Sequence, residues 1–124
     1  MILVEGPVER MLVPHFIKKN HKNLTSCYIT ILEIGGSHAH TLKPLIENLG
    51  IITLIITDLD SVDPSKNSAK VLPEKTKGYK TGNDTLKTWL PLKSELDELL
   101  ELEPLKKEHS NYPIKVVYQI PIKN

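Results

Sequence analysis

Two short apolar runs, each followed by acidic residues, constrain this sequence more than any other feature. The first run leads into Glu5 and Glu9, and the second leads into Asp58 and Asp60. Unbroken apolar runs of this kind are typical of strands that are buried on both faces of a parallel sheet. Open α/β folds bind their ligands at the carboxyl ends of such strands. The pattern therefore predicts that the four carboxylates meet at one edge of a sheet and hold a divalent cation.

Length and composition narrow the class of protein. The 124 residues predict a single domain, and a hydrophobic content of 40% suits a soluble globular fold. The net charge of +1 excludes a polycation, so any contact with nucleic acid must come from a local patch. No apolar stretch approaches the roughly 20 residues of a membrane span. Cys27 is the only cysteine and is expected to be a small core residue. These features favour a cytoplasmic protein without disulfides.

The first half of the sequence alternates strands with helices. Strands are predicted at residues 2–5, 27–34 and 51–57. The first helix is predicted to begin at Pro7, and the second to be capped by Ser37 and ended by Gly50. Short links between these elements imply right-handed crossovers and a parallel sheet. The predicted fold is a Rossmann-like α/β sheet of about four strands, flanked by helices.

The second half has a different character. Residues 61–83 are polar and predict a long loop, with at most a short hairpin. Six lysines lie between Lys66 and Lys87, and they either follow a DNA backbone or belong to a solvated loop. A helix is predicted near residues 84–90, and another is predicted to be capped by Ser94. A last strand is predicted at residues 114–120.

The acidic residues suit a magnesium or manganese site. Both ions prefer hard oxygen ligands. In an extended segment Asp58 and Asp60 would point the same way, and the turn at residues 6–7 would fold Glu9 back towards Glu5. The four carboxylates could hold one ion or share two, and two ions about 4 Å apart can drive the displacement at a phosphodiester. Taken singly, each carboxylate could equally be solvated or complement a helix dipole.

The motifs together resemble the TOPRIM domain, the metal-dependent module of topoisomerases, primases and several nucleases. The closer similarity is to the TOPRIM domain of nucleases of the overcoming lysogenization defect (OLD) family. The matching segments are Val4-Glu5-Gly6-Pro7-Val8-Glu9, Ile34-Gly35-Gly36, Asp58-Leu59-Asp60, Thr81-Gly82-Asn83 and Val117-Tyr118-Gln119-Ile120-Pro121. The resemblance implies a TOPRIM domain over residues 1–124 and a magnesium- or manganese-dependent DNA endonuclease. It implies Glu5, Asp58 and Asp60 as catalytic residues, and these three with Glu9 as metal ligands.

Two departures from the family pattern qualify this expectation. OLD-family proteins carry an ABC-type ATPase domain before the TOPRIM domain, and no G-x-x-x-x-G-K-[ST] motif occurs here. The family also continues to a further acidic residue and a catalytic lysine, whereas this sequence reaches Asn124 before either. We therefore expect a C-terminally truncated nuclease domain that normally works with an ATPase domain, and weak or no cleavage by the isolated chain.

Two other functions fit part of the pattern. Asp58-Leu59-Asp60 after an apolar strand is similar to the nucleophile motif of haloacid-dehalogenase-like phosphatases, in which Asp58 would attack the phosphate and Asp60 would act as acid and base. A non-enzymatic, magnesium-binding module resembling a receiver domain would also place acidic residues at a sheet edge. The phosphatase alternative leaves Glu5 and Glu9 without a role. The receiver-like module would need a lone aspartate as phosphoacceptor, which the pair of Asp58 and Asp60 fits poorly. His38 and His40 follow the second strand and are further candidates for contact with phosphate or metal.

Overall fold

The computed structural model describes residues 1–35 and 37–122, which form an α/β fold. Its strands are β1 (Ile2–Val4), β2 (Ile31–Glu33), β3 (Thr53–Thr57), β4 (Ser61–Asp63), β5 (Ala69–Lys70), β6 (Lys80–Thr81) and β7 (Ile114–Tyr118). Its α-helices are α1 (Pro7–Asn20), α2 (Lys43–Leu49), α3 (Asp84–Thr88) and α4 (Leu96–Glu101). Short 3-10 helices lie at Lys22–Ser26, Ala39–Leu42, Pro64–Lys66 and Pro104–Lys107. Among the described residues, no helix is long and apolar enough to cross a membrane.

A parallel sheet of four strands forms the centre of the described structure, in the order β2-β1-β3-β7. The pairing of β1 with β3 is in the register Ile2 to Leu54 and Leu3 to Ile55. β3 pairs with β7 along its full length, from Thr53 to Thr57. This order confirms the predicted parallel α/β fold. It also confirms that the first and third strands are neighbours whose carboxyl ends lie side by side.

The core lies where this sheet meets residues from the second half of the chain. Trp89 is 2% exposed, and its indole nitrogen donates a hydrogen bond of 2.9 Å to Glu47 of α2. Trp89 is therefore a packing residue of the core. The largest fully buried apolar side chains are Leu3, Val4, Ile46, Ile55, Leu86, Trp89, Leu96, Leu99, Ile114 and Val116.

The polar segment at residues 61–83 is more ordered than the sequence predicts. Strands β4, β5 and β6 form a small antiparallel sheet in the order β5-β4-β6. The short hairpin that the sequence allowed is present as β4 and β5. The pairing of β6 with β4 was not predicted, because strands of two or three residues are too short to leave a periodic pattern in the sequence. The backbone at Asn67 and Ser68 has positive φ angles of 53° and 56°, which lets the chain turn between β4 and β5.

The second strand is shorter than predicted. Residues 22–26 form a 3-10 helix, and Cys27 follows it as an exposed residue instead of a core residue. The predicted caps also differ. Ser37 contributes its carbonyl, and not its hydroxyl, to hydrogen bonds with His40 and Thr85. Glu95, and not Ser94, is the N-cap residue of α4. The left-handed backbone at Gly50, with φ of 61°, ends α2 as predicted.

Helix α1 is well formed but buries none of its side chains. Pro7 occupies its first turn, as predicted, and the helix ends at Asn20. Its apolar residues Met11 and Phe16 are 77% and 50% exposed. The helix therefore contributes to the site through its first turn, and its apolar side chains are largely open to solvent.

Candidate metal centre at the carboxyl edge of the sheet

Glu5 and Asp58 lie beside each other because their strands are adjacent and parallel. The register of β1 against β3, continued to the strand ends, sets Glu5 opposite Thr57. The hydroxyl of Thr57 donates a short hydrogen bond to Oε1 of Glu5. The backbone N–H of Asp58 donates to the same oxygen at 3.4 Å. The acidic residues after the two apolar runs therefore meet at one edge of the sheet.

The turn that starts α1 places Glu9 near this edge of the sheet. Its Oε2 accepts a hydrogen bond of 3.1 Å from the backbone N–H of Gly6, which satisfies a free donor at the start of the helix. A Cβ atom at position 6 would lie 3.3 Å from that carboxylate oxygen. Glycine thus allows the close approach of Glu9, and the helix dipole favours a negative charge at this end.

The three carboxylates influence one another electrostatically. Burial raises the pKa of Asp58, and the negative charges of Glu5 and Glu9 raise it further. Crowding of the carboxylates therefore adds to burial in disfavouring the ionised form of Asp58. Like charges held together in this way are stabilised by a cation.

Asp60 is placed differently from the prediction. Its backbone has a positive φ angle of 46°, so the segment after β3 turns and is not extended. The prediction that this segment is extended was wrong. Both residues nevertheless line one cleft of about 810 Å³, together with Lys70 and Gln119.

The donor chemistry of this edge suits magnesium or manganese, because carboxylate oxygens are the ligands these ions prefer. In residues 1–35 and 37–122, however, no three side chains of the His, Cys, Asp and Glu types are arranged as ligands of one ion. Oxygens of Glu5 and Glu9 are engaged by protein donors instead. A complete ligand set would need Glu9 to turn towards Asp58 and the second carboxylate oxygen of Glu5. The hydroxyl of Ser61, which lines the cleft, is buried without a partner in the described structure.

A second segment holds the chain between Asp58 and Asp60. We call residues 81–83, Thr81-Gly82-Asn83, the 81–83 clamp. Its hydrogen bonds reach three consecutive carbonyl groups: the Asn83 amide donates to Asp58 at 2.8 Å, the Thr81 hydroxyl to Leu59 at 2.5 Å, and the Gly82 N–H to Asp60 at 2.7 Å. A Cβ atom at position 82 would lie 3.3 Å from the Asp60 oxygen. The clamp fixes the backbone that carries both aspartates.

The structure adds three residues to the site that sequence reasoning did not assign to it. Thr57 bonds Glu5, and Asn83 bonds Thr57 through its side-chain amide at 2.7 Å. Gln119 lies at the end of β7 and lines a cleft with Glu9 and Asp58. Asn83 and Gln119 occur in segments that carry the family resemblance, which is the signal that could have found them.

The two candidate histidines form a separate cluster. Nδ1 of His38 and Nδ1 of His40 bond the carbonyls of Gly35 and Ser37, at 2.8 and 3.0 Å. Their ring centroids lie 6.3 Å apart. Lys87, His40 and His38 together hold the pKa of Asp84 below its usual range, chiefly through the bond to Lys87. These contacts assign the histidines to the loop before α2 and not to the carboxylates.

Most lysines of the 66–87 segment are paired with acidic residues. Ion pairs join Lys75 to Glu101, Lys77 to Glu74, Lys80 to Glu95 and Lys87 to Asp84. In the part of the chain that the structure describes, Lys66 and Lys70 have no carboxylate within 4.0 Å. Of these two, Lys70 lines the cleft with Asp58 and Asp60.

A parallel sheet that carries a glutamate after its first strand and a D-x-D segment after a later, adjacent strand defines a TOPRIM-like α/β domain. Two comparisons with known proteins show which kind of TOPRIM domain this is. Residues 1–60 match the model of the overcoming lysogenization defect protein-like TOPRIM domain. Endonuclease GajA of Bacillus cereus (strain HuB5-5) is 38% identical over 101 residues, which cover 80% of this chain. The chain therefore belongs to the OLD-like TOPRIM family.

The similarity concerns a small part of the relative. The chain spans 14% of the length of that endonuclease. No solved structure matches the chain significantly.

Proposed function

We propose that this chain is the TOPRIM nuclease domain of a DNA endonuclease that depends on magnesium or manganese. Glu5, Asp58 and Asp60 act as the catalytic residues, and these three with Glu9 supply the ligands for one or two ions. The observation that carries the proposal is the meeting of Glu5 and Asp58 at adjacent strand ends, where Glu5 accepts from Thr57 and from the Asp58 N–H. The name of the similar endonuclease supports the reaction class.

The residues of the site have distinct roles in this proposal. When bound, the cation would supply an activated water and stabilise the charge that develops on the phosphate oxygens. Glu5 and Asp58 are held in place by backbone and hydroxyl donors and form the fixed side of the site. Asp60 and Glu9 complete it by turning inwards. Lys70, in the cleft beside both aspartates, contacts a phosphate of the substrate.

The partners follow from the same proposal. The substrate is DNA, and an ABC-type ATPase domain of the parent protein is coupled to cleavage. We place this activity in the cytoplasm. Because four of the six lysines in the 66–87 segment are paired with acids, this segment offers few free charges to DNA. Binding of DNA by this chain alone should therefore be weak and should fall steeply with salt.

Thermal unfolding with and without metal tests the proposed site. Mg²⁺ or Mn²⁺ at ten times its Kd should add about 1.4 kcal/mol to the free energy of unfolding, which raises Tm by several degrees. Replacing both Asp58 and Asp60 with alanine should abolish that increase. A matched control replaces Glu98 and Glu101, which are exposed on α4, and should keep it. An unchanged Tm for the original chain in saturating metal would contradict the site.

Cleavage assays distinguish the reaction classes. Weak manganese-dependent nicking of plasmid DNA that is lost in Glu5→Ala would support the endonuclease. Metal-dependent release of phosphate from small phosphate esters, without any cleavage of DNA, would instead support the phosphatase alternative. In that case Asp58 would be the nucleophile, and Glu5→Gln would leave much of the activity.

A further inference from the structure

We propose that Asn83 is a positioning residue that fixes Glu5 and the Asp58 backbone in one arrangement. This inference rests on the proposed function, since it concerns how the carboxylate site is held ready for a cation. Asn83 is completely buried and is the N-cap residue of α3. Its side-chain amide bonds Thr57 and the Asp58 carbonyl, and it reaches Glu5 only through Thr57, without contributing a charge.

The hydrogen bonds of Asn83 fix which way its amide points. Its Oδ1 accepts from the backbone N–H of Leu86 at 3.3 Å, and its Nδ2 donates to the carbonyl of Asp58 at 2.8 Å. A backbone N–H can only donate and a carbonyl can only accept, so these two partners determine the amide orientation. The second N–H of the amide is then directed at the hydroxyl of Thr57, 2.7 Å away.

This orientation decides how Thr57 behaves. A threonine hydroxyl has a single hydrogen to donate. Because the Thr57 oxygen accepts from Asn83, its own hydrogen is directed to Oε1 of Glu5. In the two hydrogen bonds that run from Asn83 through Thr57 to Glu5, which we call the relay, each residue donates to the next. Thr57 is only 5% exposed. Oε1 of Glu5 is thereby held beside the Asp58 N–H, and Oε2 has no hydrogen bond to a described residue.

The relay links the first strand of the sheet to the third strand and to α3. It holds Glu5 in a single rotamer and keeps Oε2 available for a ligand. Groups that orient metal ligands in this way typically change metal affinity by about 10- to 100-fold when they are replaced. We expect an effect of that size for the loss of the Asn83 amide, with the fold retained.

Asn83→Ser is the central variant, because a serine hydroxyl can still cap α3 but is too short to reach Thr57. Thr57→Val removes the middle of the relay with little change of shape, and Thr57→Ser restores its hydroxyl. Thr85→Val is the matched control. The Thr85 side chain is equally buried, but its hydroxyl bonds the Ser37 carbonyl and the His40 N–H, away from the carboxylates.

Two measurements on the full chain test the relay. Calorimetric titration with Mn²⁺ should show affinity reduced about 10- to 100-fold in Asn83→Ser and Thr57→Val, and within about twofold of the original in Thr57→Ser and Thr85→Val. The carboxyl ¹³C resonance of Glu5, recorded without metal, should shift in Asn83→Ser and Thr57→Val and return in Thr57→Ser.

The outcomes separate this inference from the metal site itself. If the original chain binds no Mn²⁺, the proposed site fails, and the Glu5 resonance alone then decides whether the relay exists. Folded Asn83→Ser that binds Mn²⁺ as tightly as the original chain would overturn the positioning role. So would a Glu5 resonance that is unchanged in both Asn83→Ser and Thr57→Val.

Discussion

The hydroxyl of Thr57 donates a hydrogen bond to the carboxylate of Glu5, which joins two strand ends that lie 52 residues apart in the sequence. Thr57 is the last residue of β3, and Glu5 directly follows β1. The bond is a consequence of the parallel pairing of these two strands. It leaves Glu5 next to Asp58, so that the fold itself creates a concentration of negative charge at this edge.

Asp58→Asn should stabilise the chain when no metal is present. Asp58 is repelled by Glu5 and Glu9, and the substitution removes this repulsion while keeping the shape of the side chain. We expect a higher Tm at neutral pH and low ionic strength, and a smaller gain in high salt, which screens the charges.

Asp84→Asn is the control for this prediction. The Asp84 carboxylate lies 2.9 Å from the ammonium group of Lys87, so its loss should not raise Tm. A Tm that is unchanged or lower in metal-free Asp58→Asn would show that the three carboxylates do not repel one another significantly.

Asp63 should make stability depend on pH in the acid range. Hydrogen bonds from Ser65, of 2.6 Å from the hydroxyl and 2.9 Å from the backbone N–H, lower the pKa of Asp63. A carboxyl whose pKa is lower in the folded state stabilises the fold above its unfolded-state pKa, and this contribution is lost as pH falls. The stability difference between the original chain and Asp63→Asn should therefore be constant above about pH 5 and shrink below about pH 4.

Ser65→Ala provides the check on the cause. It removes the hydroxyl donor but keeps the backbone N–H, so the acid-dependent difference should become smaller without vanishing. Denaturant titrations from pH 3 to 7 would measure it. An identical pH profile for the original chain and Asp63→Asn would contradict the assignment.

Trp89→Phe should lower the free energy of unfolding by about 2–4 kcal/mol. The smaller ring leaves space in the core and removes the indole donor to Glu47, whose carboxylate lies in a largely buried position. Glu47 would keep His109, at 3.5 Å, as an ionic partner. Urea unfolding followed by circular dichroism measures the change, and a loss below about 1 kcal/mol would mean that the core repacks.

The centre of the parallel sheet could be predicted because its two inner strands, β1 and β3, are apolar runs. The runs before Glu5 and Asp58 mark β1 and β3, and the glycine at position 50 marks the end of α2. The small antiparallel sheet could not be predicted, since β5 and β6 contain only two residues each. Their pairing is set by contacts between distant residues and leaves no local pattern.

The acidic residues of the site could be predicted from the sequence, but the residues that hold them in place could not. Glu5, Glu9 and Asp58 come together because strand order and a helix start place them there. The turn at Asp60 depends on its left-handed backbone, held by a hydrogen bond from Gly82, and no rule for isolated segments anticipates it. The role of Asn83 at the site could not be predicted either. An asparagine at this position is already explained as the cap of α3, so its residue type does not reveal the bond to Thr57.

We expect the carboxylates at the ends of β1 and β3 to bind a divalent cation together. Anomalous diffraction from crystals of this chain soaked in Mn²⁺ would show the position of the ion. We predict a manganese peak within coordination distance of both Glu5 and Asp58, with Glu9 or Asp60 turned towards it. A fully soaked crystal with no peak at this edge, or with manganese bound only elsewhere, would contradict the account.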